Sequence, residues 1–394
     1  MNNDELQVLG QSRKLSKLEK WLIVFLSVLV LGALLLLAVW ETTSAHEEEH
    51  RETTIIPELQ QAVDSLLDNK LEEIGGLQGQ VIVMEVQTGK ILAMAGRERR
   101  FDGQFQPCRN FGYQQEPGST MKTAALLALL ETGEVKLTDE VDTGTGLWDA
   151  NVDHLMKDHN WRRGGYGKIT LEQALELSSN IGIGKTVQKV FKGKEKRYYE
   201  LLDKMSLGQP SQIEGIGELR PQRYTSPKDS LWAYSMMLWN SIGYERLMAP
   251  IQTLTFYNAI ANDGKMVRPT LHPTDTAEVI NPQIASKESV SQMQIALEHV
   301  VSQGLGQKAG SRLMLVAGKT GTAQVNGSEE ENAIKEYHLS FCGYYPAEAA
   351  KYSIMVSLNK QGIPASGGGM AGPLFHDIME WMIEHDMPHI VIVK

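Results

Sequence analysis

The segment MKTAALLALL, residues 121–130, is apolar on nearly every face of a helix, which limits the folds open to this chain. Glu116, Pro117 and Gly118 interrupt any element before it, and Gly133 is typical of a helix end. A helix that is apolar all round has no face suited to water. We therefore expect a central helix enclosed by the rest of the domain.

Ser119 and Lys122 lie at the start of this predicted helix, three positions apart. Side chains at that spacing share a helix face, with Cβ atoms about 5–6 Å apart, so the lysine amine can reach the serine hydroxyl. A serine attacks well only when a neighbour takes its proton, and a lysine takes it only when its pKa is lowered, for example by burial. The pair predicts a nucleophile with its base, although alone such a pattern is more often a serine that caps an ordinary helix.

Ser178, Ser179 and Asn180 follow residues 171–177 (LEQALEL), which have an amphipathic helical pattern. The motif places a hydroxyl and an amide where a helix gives way to a turn. A hydroxyl can pass a proton to a leaving amine, and an amide can both donate to and accept from a peptide. Taken alone, the same residues fit plain helix termination equally well.

Residues 313–324 (LMLVAGKTGTAQ) have the pattern of a strand. Gly318 and Gly321 inside it indicate that another backbone or a ligand approaches closely. Lys319 and Thr320 are suited to holding a carboxylate, and a sheet edge of this kind can bind an extended peptide by strand addition. The alternative is a solvated edge strand with a protective lysine.

The order and separation of these motifs resemble those of the penicillin-recognising serine enzymes. From about residue 53 to residue 393 the chain resembles the transpeptidase domain of class B (monofunctional) penicillin-binding proteins and, more distantly, the serine β-lactamases. Four further segments add to the resemblance, namely residues 80–96, 116–119, 259–265 and 341–346.

This resemblance implies a serine-type D,D-transpeptidase that cross-links peptidoglycan stem peptides. Ser119 would attack the penultimate D-alanine carbonyl and form an acyl-enzyme, with Lys122 as the base. Ser178 would relay the proton to the departing D-alanine, and an acceptor amine of a second stem would resolve the ester. β-Lactam antibiotics would acylate the same serine.

The substrate-binding residues implied by the resemblance are Asn180, Lys319, Thr320, Gly321 and Thr322. Asn180 would bind the donor amide, the Lys-Thr-Gly-Thr segment would hold the terminal carboxylate, and the backbone N–H groups of Ser119 and Thr322 would form the oxyanion hole. We expect no cofactor and no metal. His154 and His159, in the segment 149–166, are five positions apart, which is wrong for one helix face. We interpret that segment as a surface lobe near the cleft.

Other functions of the same fold remain open. A β-lactamase needs a second base that positions water, and no Glu-x-x-Leu-Asn segment lies between Asn180 and Lys319. Glu214 is near the expected place, but Gly-Ile-Gly follows it. We therefore expect a stable acyl-enzyme with penicillin. The motifs do not distinguish a transpeptidase from a carboxypeptidase, nor from a penicillin-binding sensor or an idle scaffold.

Residues 21–40 (WLIVFLSVLVLGALLLLAVW) form an uncharged run with Trp at both ends. Such a run is close to the length that crosses a bilayer of about 30 Å hydrocarbon thickness. Basic residues precede it and acidic residues follow it, so we expect a single-pass anchor in the bacterial inner membrane. The amino terminus would be cytoplasmic and the catalytic domain periplasmic or extracytoplasmic. A cleaved signal peptide is the alternative, but its apolar part is shorter.

We expect an α+β fold of the D,D-transpeptidase and β-lactamase type, preceded by one transmembrane helix. It consists of an antiparallel five-stranded sheet flanked by helices and an all-helical lobe, with the active site at their junction. The predicted divisions are a cytoplasmic tail (1–20), the membrane helix (21–40), an acidic linker (41–52) and the penicillin-binding domain (53–394). The lobe would occupy roughly residues 124–262.

Class B proteins usually carry a pedestal domain between anchor and transpeptidase, whereas here about a dozen residues separate the two. The cleft should then stay near the bilayer, which favours work beside a membrane glycosyltransferase. A longer linker that leaves cross-linking in cells intact would contradict this expectation. The net charge of −10 argues against nucleic acid as a partner. Cys108 and Cys342 are too few for a disulfide framework.

Overall fold

The computed structural model describes residues 16–48, 53–152, 154–213, 216, 230–273, 276–325, 334–385 and 387. The chain divides into two compact units, Met1–Thr53 and Thr54–Lys394. Helix α1 (Lys17–Glu48) belongs to the first unit and continues into the segment predicted as a linker, of which residues 49–52 lie outside the described part.

In the part of the chain that is described, no helix combines the length and the apolar character needed to cross a membrane. The predicted span lies within α1, but the side chains of residue 34 and of residues 37–40 are outside the described ones.

The second unit alternates helices and strands along its length. Its helices are α2 (Pro57–Ile74), α3 (Met121–Glu131), α4 (Leu171–Glu176), α5 (Asn180–Phe191), α6 (Glu195–Lys204), α7 (Ser230–Ser241), α8 (Pro250–Ala261), α9 (Lys287–Ser302) and α10 (Gly372–Glu384). Its strands are β1 (Gly76–Glu85), β2 (Ile91–Arg99), β3 (Phe105–Pro107), β4 (Glu140–Asp142), β5 (Leu147–Trp148), β6 (Met156–Lys157), β7 (Lys168–Thr170), β8 (Met266–Val267), β9 (Val279–Asn281), β10 (Ala317–Val325), β11 (Glu336–Tyr345) and β12 (Tyr352–Gln361).

The main sheet is antiparallel throughout, in the order β10-β11-β12-β1-β2-β3. It has six strands among the described residues, so the predicted number of five was wrong. The sixth strand, β3, pairs only with the end of β2, from Arg97 to Arg99. Three residues are too few to show the alternation by which a strand is predicted. β10, which carries the Lys-Thr-Gly motif, forms the opposite edge.

The lobe between residues 124 and 262 is mainly helical, but it is not all-helical as expected. Strand β4 pairs with β7, and β5 pairs with β6, as two small sheets. These strands are two or three residues long and separated by glycine-rich turns, so they leave no periodic pattern in the sequence.

The two faces of the main sheet carry separate apolar cores. Along β1, Val81 and Val83 point to one face, where they pack with α2 and α10, while Ile82 and Met84 point to the other. The second core includes α3 and α8 and continues into the helical lobe. All residues of α3 from Met121 to Leu130 are buried, as its sequence predicts. The 3₁₀ turn that leads into α3, Gly118–Thr120, lies against β10, and this contact positions the site.

Both cysteines, Cys108 and Cys342, are buried and free, without a disulfide.

Candidate active site

The nucleophile candidate Ser119 lies on a 3₁₀ turn, Gly118–Thr120, that leads directly into α3. Side-chain hydrogen bonds hold this turn. The Thr120 hydroxyl donates to the Pro117 carbonyl at 2.7 Å, and the Tyr257 hydroxyl donates to the Thr120 carbonyl at 2.9 Å. Tyr257 is fully buried in α8. The turn is therefore tied to the core on the side away from solvent.

Lys122 joins the first two motifs through one buried ammonium. Its Nζ donates to the Ser119 Oγ at 2.8 Å, to the Ser178 Oγ at 3.1 Å and to the Ser178 carbonyl at 2.7 Å. Ser178 has a φ of 52°, in the left-handed region that residues other than glycine rarely adopt. In this conformation both its hydroxyl and its carbonyl face the lysine.

Burial lowers the pKa of Lys122 to about 7, although the negative charge of nearby Asp158 acts in the opposite direction. The Lys122 side chain is fully buried, and taking an ammonium out of water disfavours its charged form. Near neutral pH a large fraction of Lys122 is therefore an unprotonated amine. That amine lies at hydrogen-bond distance from the Ser119 hydroxyl, as a general base requires.

Asp158 fixes the segment that carries Ser178. Its carboxylate accepts from the Ser179 hydroxyl at 2.8 Å and from the Ile181 N–H at 3.1 Å. The Ser179 hydroxyl in turn accepts from the Gly182 N–H and caps α5. Asp158 is 1% exposed. No local sequence pattern marks Asp158, because an acidic residue in a polar, glycine-rich segment is typical of a solvated turn.

Asn180 starts α5 and lies beside the cleft. Its side-chain amide donates to the Lys157 carbonyl at 2.7 Å, which fixes the orientation of the side chain. Its oxygen accepts no hydrogen bond from the described residues. Asn180 therefore presents an acceptor that suits the N–H of a peptide substrate.

The third motif places a second buried lysine on β10. Lys319 is fully buried, and its Nζ donates to the carbonyl and hydroxyl of Thr320, at 3.1 and 3.2 Å. Burial, with a smaller effect of the Lys122 charge, lowers the pKa of Lys319 well below its usual range. Among the described residues no carboxylate pairs with it. A bound carboxylate would offset the burial cost of the ammonium.

Backbone packs directly against backbone at two walls of the site. Gly367 donates its N–H to the Thr322 hydroxyl at 3.0 Å, and a Cβ at Gly367 would collide with the Gly321 carbonyl oxygen. On the other side, the Gly118 N–H donates to the Gly243 carbonyl at 3.1 Å, and a Cβ at Gly243 would collide with the Gly118 carbonyl. The sequence around Gly243 and Gly367 contains no pattern that predicts these contacts.

His338 supports the residue that precedes the nucleophile turn. This buried side chain lies 3.0 Å from the Glu116 carbonyl through Nδ1 and 3.0 Å from the Ser357 hydroxyl through Nε2. Burial lowers the pKa of His338 to about 4, so its imidazole is neutral at physiological pH. Its Nδ1–H therefore donates to the Glu116 carbonyl. No local pattern marks His338, whose contacts are far away in the sequence.

These elements meet at a cleft of about 660 Å³. Of the predicted site residues, five line it directly: Ser119, Ser178, Asn180, Thr320 and Thr322. The other three, Lys122, Lys319 and Gly321, are buried. His159, noted in the sequence only as a rejected metal ligand, also lines the cleft, and its Nε2 lies 3.0 Å from the Tyr166 hydroxyl. Glu214 lies outside the described residues.

The fold and the site define a class of protein: an α+β domain in which a serine at the start of a buried helix, a buried lysine and a second serine meet beside the edge strand of an antiparallel sheet. A family model, the penicillin binding protein transpeptidase domain, matches residues 79–380. The chain belongs to this family, and the resemblance predicted from its motifs is confirmed.

Curated proteins with related sequences carry consistent names. PbpB of Mycolicibacterium smegmatis, a penicillin-binding protein, is 28% identical over 368 residues, which are 85% of this chain and 54% of that protein. Stage V sporulation protein D of Bacillus subtilis is 28% identical over 324 residues, 76% of this chain and 48% of that protein. The peptidoglycan D,D-transpeptidase FtsI of Escherichia coli K12 is 24% identical over 351 residues, which are 86% of this chain and 56% of that protein. The chain thus spans about half the length of the curated relatives it matches.

Solved structures agree in fold. The transpeptidase domain of Burkholderia pseudomallei penicillin-binding protein 3 superposes with a TM-score of 0.72 at 23% identity, over 86% of this chain and 98% of that one. A protein described as a peptidoglycan glycosyltransferase from Burkholderia ambifaria gives a TM-score of 0.71, also at 23% identity, and the match covers 86% of this chain and 100% of that one. At this identity the likeness establishes the fold alone.

The lowered pKa of Lys122 predicts how acylation depends on pH. The second-order rate of acylation by benzylpenicillin should rise about tenfold per pH unit below about pH 7 and level off above it, because only the neutral amine accepts the Ser119 proton. Stopped-flow or quench-flow acylation between pH 5.5 and 9 measures this, with the drug's own hydrolysis subtracted. A rate that is flat or falls across this range would exclude Lys122 as the base.

The contacts of Asp158 predict two measurable effects of Asp158→Asn. Loss of the carboxylate weakens the α5 cap, so the free energy of unfolding should fall by about 1–3 kcal/mol. Loss of the negative charge removes the influence that raises the pKa of Lys122, so the midpoint of the acylation profile should move to lower pH. Denaturant unfolding and the same pH series measure both. Asp149→Asn, at an exposed carboxylate of the same lobe, should change neither.

Proposed function

We propose that this protein is a serine D,D-transpeptidase that cross-links peptidoglycan stem peptides and is acylated by β-lactams. The observation that carries the proposal is the position of the Lys122 amine, 2.8 Å from the Ser119 Oγ and 3.1 Å from the Ser178 Oγ. One base thus contacts both the attacking hydroxyl and a hydroxyl able to deliver its proton. The name of FtsI, a peptidoglycan D,D-transpeptidase, supports the same reaction.

In the acylation step, the Ser119 Oγ attacks the carbonyl carbon between the two D-alanines while its proton moves to the neutral Lys122 amine. The oxyanion that develops is stabilised by the backbone N–H groups of Ser119 and Thr322. The proton then passes from Lys122 through the Ser178 hydroxyl to the nitrogen of the leaving D-alanine. The C–N bond breaks, and the donor stem remains as an ester on Ser119.

Substrate orientation follows from the other cleft residues. The donor stem extends along β10, the edge strand of the sheet, and Asn180 accepts from one of its N–H groups. The terminal carboxylate lies beside Lys319, Thr320 and Thr322, with the backbone of Gly321 close enough for main-chain contact. This carboxylate supplies the anion that the buried Lys319 lacks in the free protein, which favours substrates ending in a free D-alanine.

Release of the ester requires an acceptor amine from a second stem peptide. The amine attacks the ester carbonyl and transfers its proton to Lys122 or Ser178, and Ser119 is regenerated. In a β-lactam adduct the leaving nitrogen stays attached, so it blocks the approach of the amine. The penicillin adduct should therefore persist.

The test is the mass of the full chain, purified in detergent, after mixing with benzylpenicillin and over several hours. We expect a stable addition of the intact drug, mapped to Ser119 by peptide analysis. Ser119→Ala should give no adduct. Lys122→Ala should acylate about 10²–10⁴ times more slowly, since a general base contributes that much.

Other outcomes of the same experiment separate the remaining functions of the fold. An adduct that disappears together with the appearance of hydrolysed drug identifies a β-lactamase, and the absence of any adduct identifies an idle scaffold. A second assay with a pentapeptide donor and an amine acceptor then distinguishes a cross-linked product from the trimmed tetrapeptide of a carboxypeptidase.

We also propose that residues 21–40 anchor the protein in the bacterial inner membrane, with the catalytic domain outside the cytoplasm. The sequence alone supports this. Arg13, Lys14, Lys17 and Lys20 precede the apolar run, and acidic residues from Glu41 onward follow it. An anchored enzyme with so short a linker would act on strands made at the membrane surface, beside a membrane glycosyltransferase.

Anchoring predicts that the protein stays in the membrane fraction after alkaline carbonate extraction. Protease added outside spheroplasts should degrade the catalytic domain. Replacement of Leu29 and Leu31 by Arg should release the protein, because each charge in the centre of a span costs about 2.5–3.5 kcal/mol. Wild-type protein in the soluble fraction would contradict the proposal.

A further inference from the structure

Behind the cleft, three potential metal ligands from two helices lie close together. Glu172 and Glu176 are one turn apart on α4, and His299 faces them from α9. Their donor atoms all lie within 4.8 Å of one another. Among the described residues this is the one group of three or more His, Cys, Asp or Glu side chains close enough to hold an ion.

Glu176 is a buried carboxylate without a hydrogen-bond donor. The residue is 8% exposed, and within the described part of the chain its carboxylate accepts no hydrogen bond. The nearest cationic partner is the His299 Nδ1, at 4.0 Å. Burial, together with the negative charge of Glu172, raises the pKa of Glu176. A buried carboxylate is normally paired or coordinates a metal, and the nearest cationic group to this largely buried one lies beyond hydrogen-bond distance.

His299 is oriented as metal-ligating histidines usually are. Its Nδ1 faces the α4 carboxylates and lies 2.8 Å from the Glu172 carboxylate. Its Nε2 lies 3.6 Å from the Glu298 carboxylate on the other side of the ring. Metal-ligating histidines usually donate this second N–H to a carboxylate, which fixes the ring and increases its basicity; from 3.6 Å the Glu298 carboxylate would need only a small movement to accept it.

Charge also favours a cation at this position. Three carboxylates surround one imidazole, and among the described residues no lysine or arginine forms an ion pair with Glu172, Glu176 or Glu298. Donor atoms about 2.0–2.2 Å from one ion lie no more than about 4.4 Å apart, so small side-chain rotations are enough to close the site.

We propose that Glu172, Glu176 and His299 form a binding site for a divalent transition-metal ion, with Zn²⁺ as the best match. Two carboxylate oxygens and one imidazole nitrogen match zinc better than Mg²⁺ or Ca²⁺, which prefer oxygen ligands alone. On binding, the ion replaces the proton shared by His299 and Glu172, and solvent completes the coordination.

The site adjoins the cleft without being part of it. Ser178 is two residues beyond Glu176, and the Glu176 carbonyl accepts from the N–H of Leu305, a residue of the cleft lining. A metal here would join α4 to α9 and so brace two segments that frame the cleft. Its ligands take no part in the proposed acyl transfer, so the test below is independent of that function.

Equilibrium binding of Zn²⁺ to the full chain, freed of metal and carrying no polyhistidine tag, tests the site. We expect one ion per chain by a competing fluorescent chelator and a rise in Tm on Zn²⁺ addition. Glu176→Gln and His299→Gln should each weaken binding by at least about tenfold, as should Glu298→Gln through the second ring nitrogen.

Two matched substitutions control for adventitious binding. Glu288→Gln changes an exposed carboxylate on α9, and His385→Gln changes an exposed histidine at the end of α10, so both should bind Zn²⁺ like the wild type. No saturable binding by the wild-type protein would overturn the proposal, whatever the variants do. Saturable binding that is unchanged in both Glu176→Gln and His299→Gln would overturn it as well.

Discussion

The burial of Lys122 is the constraint on which the rest of the site depends. An ammonium buried in an apolar helix is unfavourable, and among the described residues the hydrogen bonds of Lys122 go to the two serine hydroxyls and the Ser178 carbonyl. The elements around α3 keep water away from this lysine. The sheet closes one side of α3, the helical lobe closes the other, and the tyrosine of α8 holds the turn before it. Exclusion of water lowers the pKa of Lys122, and it requires the rest of the domain to enclose α3 completely.

The two buried lysines differ in what accompanies them. Lys122 donates to three oxygens of the two serines, whereas Lys319 donates, among the described residues, to the carbonyl and hydroxyl of its neighbour. In the proposed reaction the first lysine transfers a proton and the second binds an anion that arrives with the substrate. Asp158 is a negative charge built into the fold near Lys122, where it acts against the effect of burial on the lysine pKa, and its carboxylate also holds the start of α5.

Sequence patterns predicted those parts of the structure that depend on residues close together in the chain. The apolar run of α3 and the amphipathic α4 each form where expected, the Lys-Thr-Gly motif lies on a strand, and the three motifs meet at one cleft. Contacts between distant segments could not be predicted in this way. Asp158 binds α5 from a glycine-rich turn, His338 reaches the Glu116 carbonyl from more than 200 positions away, and His299 meets Glu172 from another helix. None of these contacts follows from the local sequence around either residue. The strand β3 and the short strands of the lobe were missed because two or three residues are too few to show an alternating pattern.

The two glycine contacts beside the nucleophile affect how such a protein can change under selection. At Gly243 and Gly367 the walls of the cleft consist of main chain, with no space for even a methyl group. Substitution there cannot narrow the cleft in small steps, since the first added carbon already displaces the turn of Ser119 or the strand of Thr322. Under selection by an inhibitor, the shape of the cleft can change gradually only where side chains line it, for example at Ile242, Tyr244 and Leu305. Because main chain fills these two walls, mutations that make the site less sensitive to an inhibitor are restricted to a few side-chain positions.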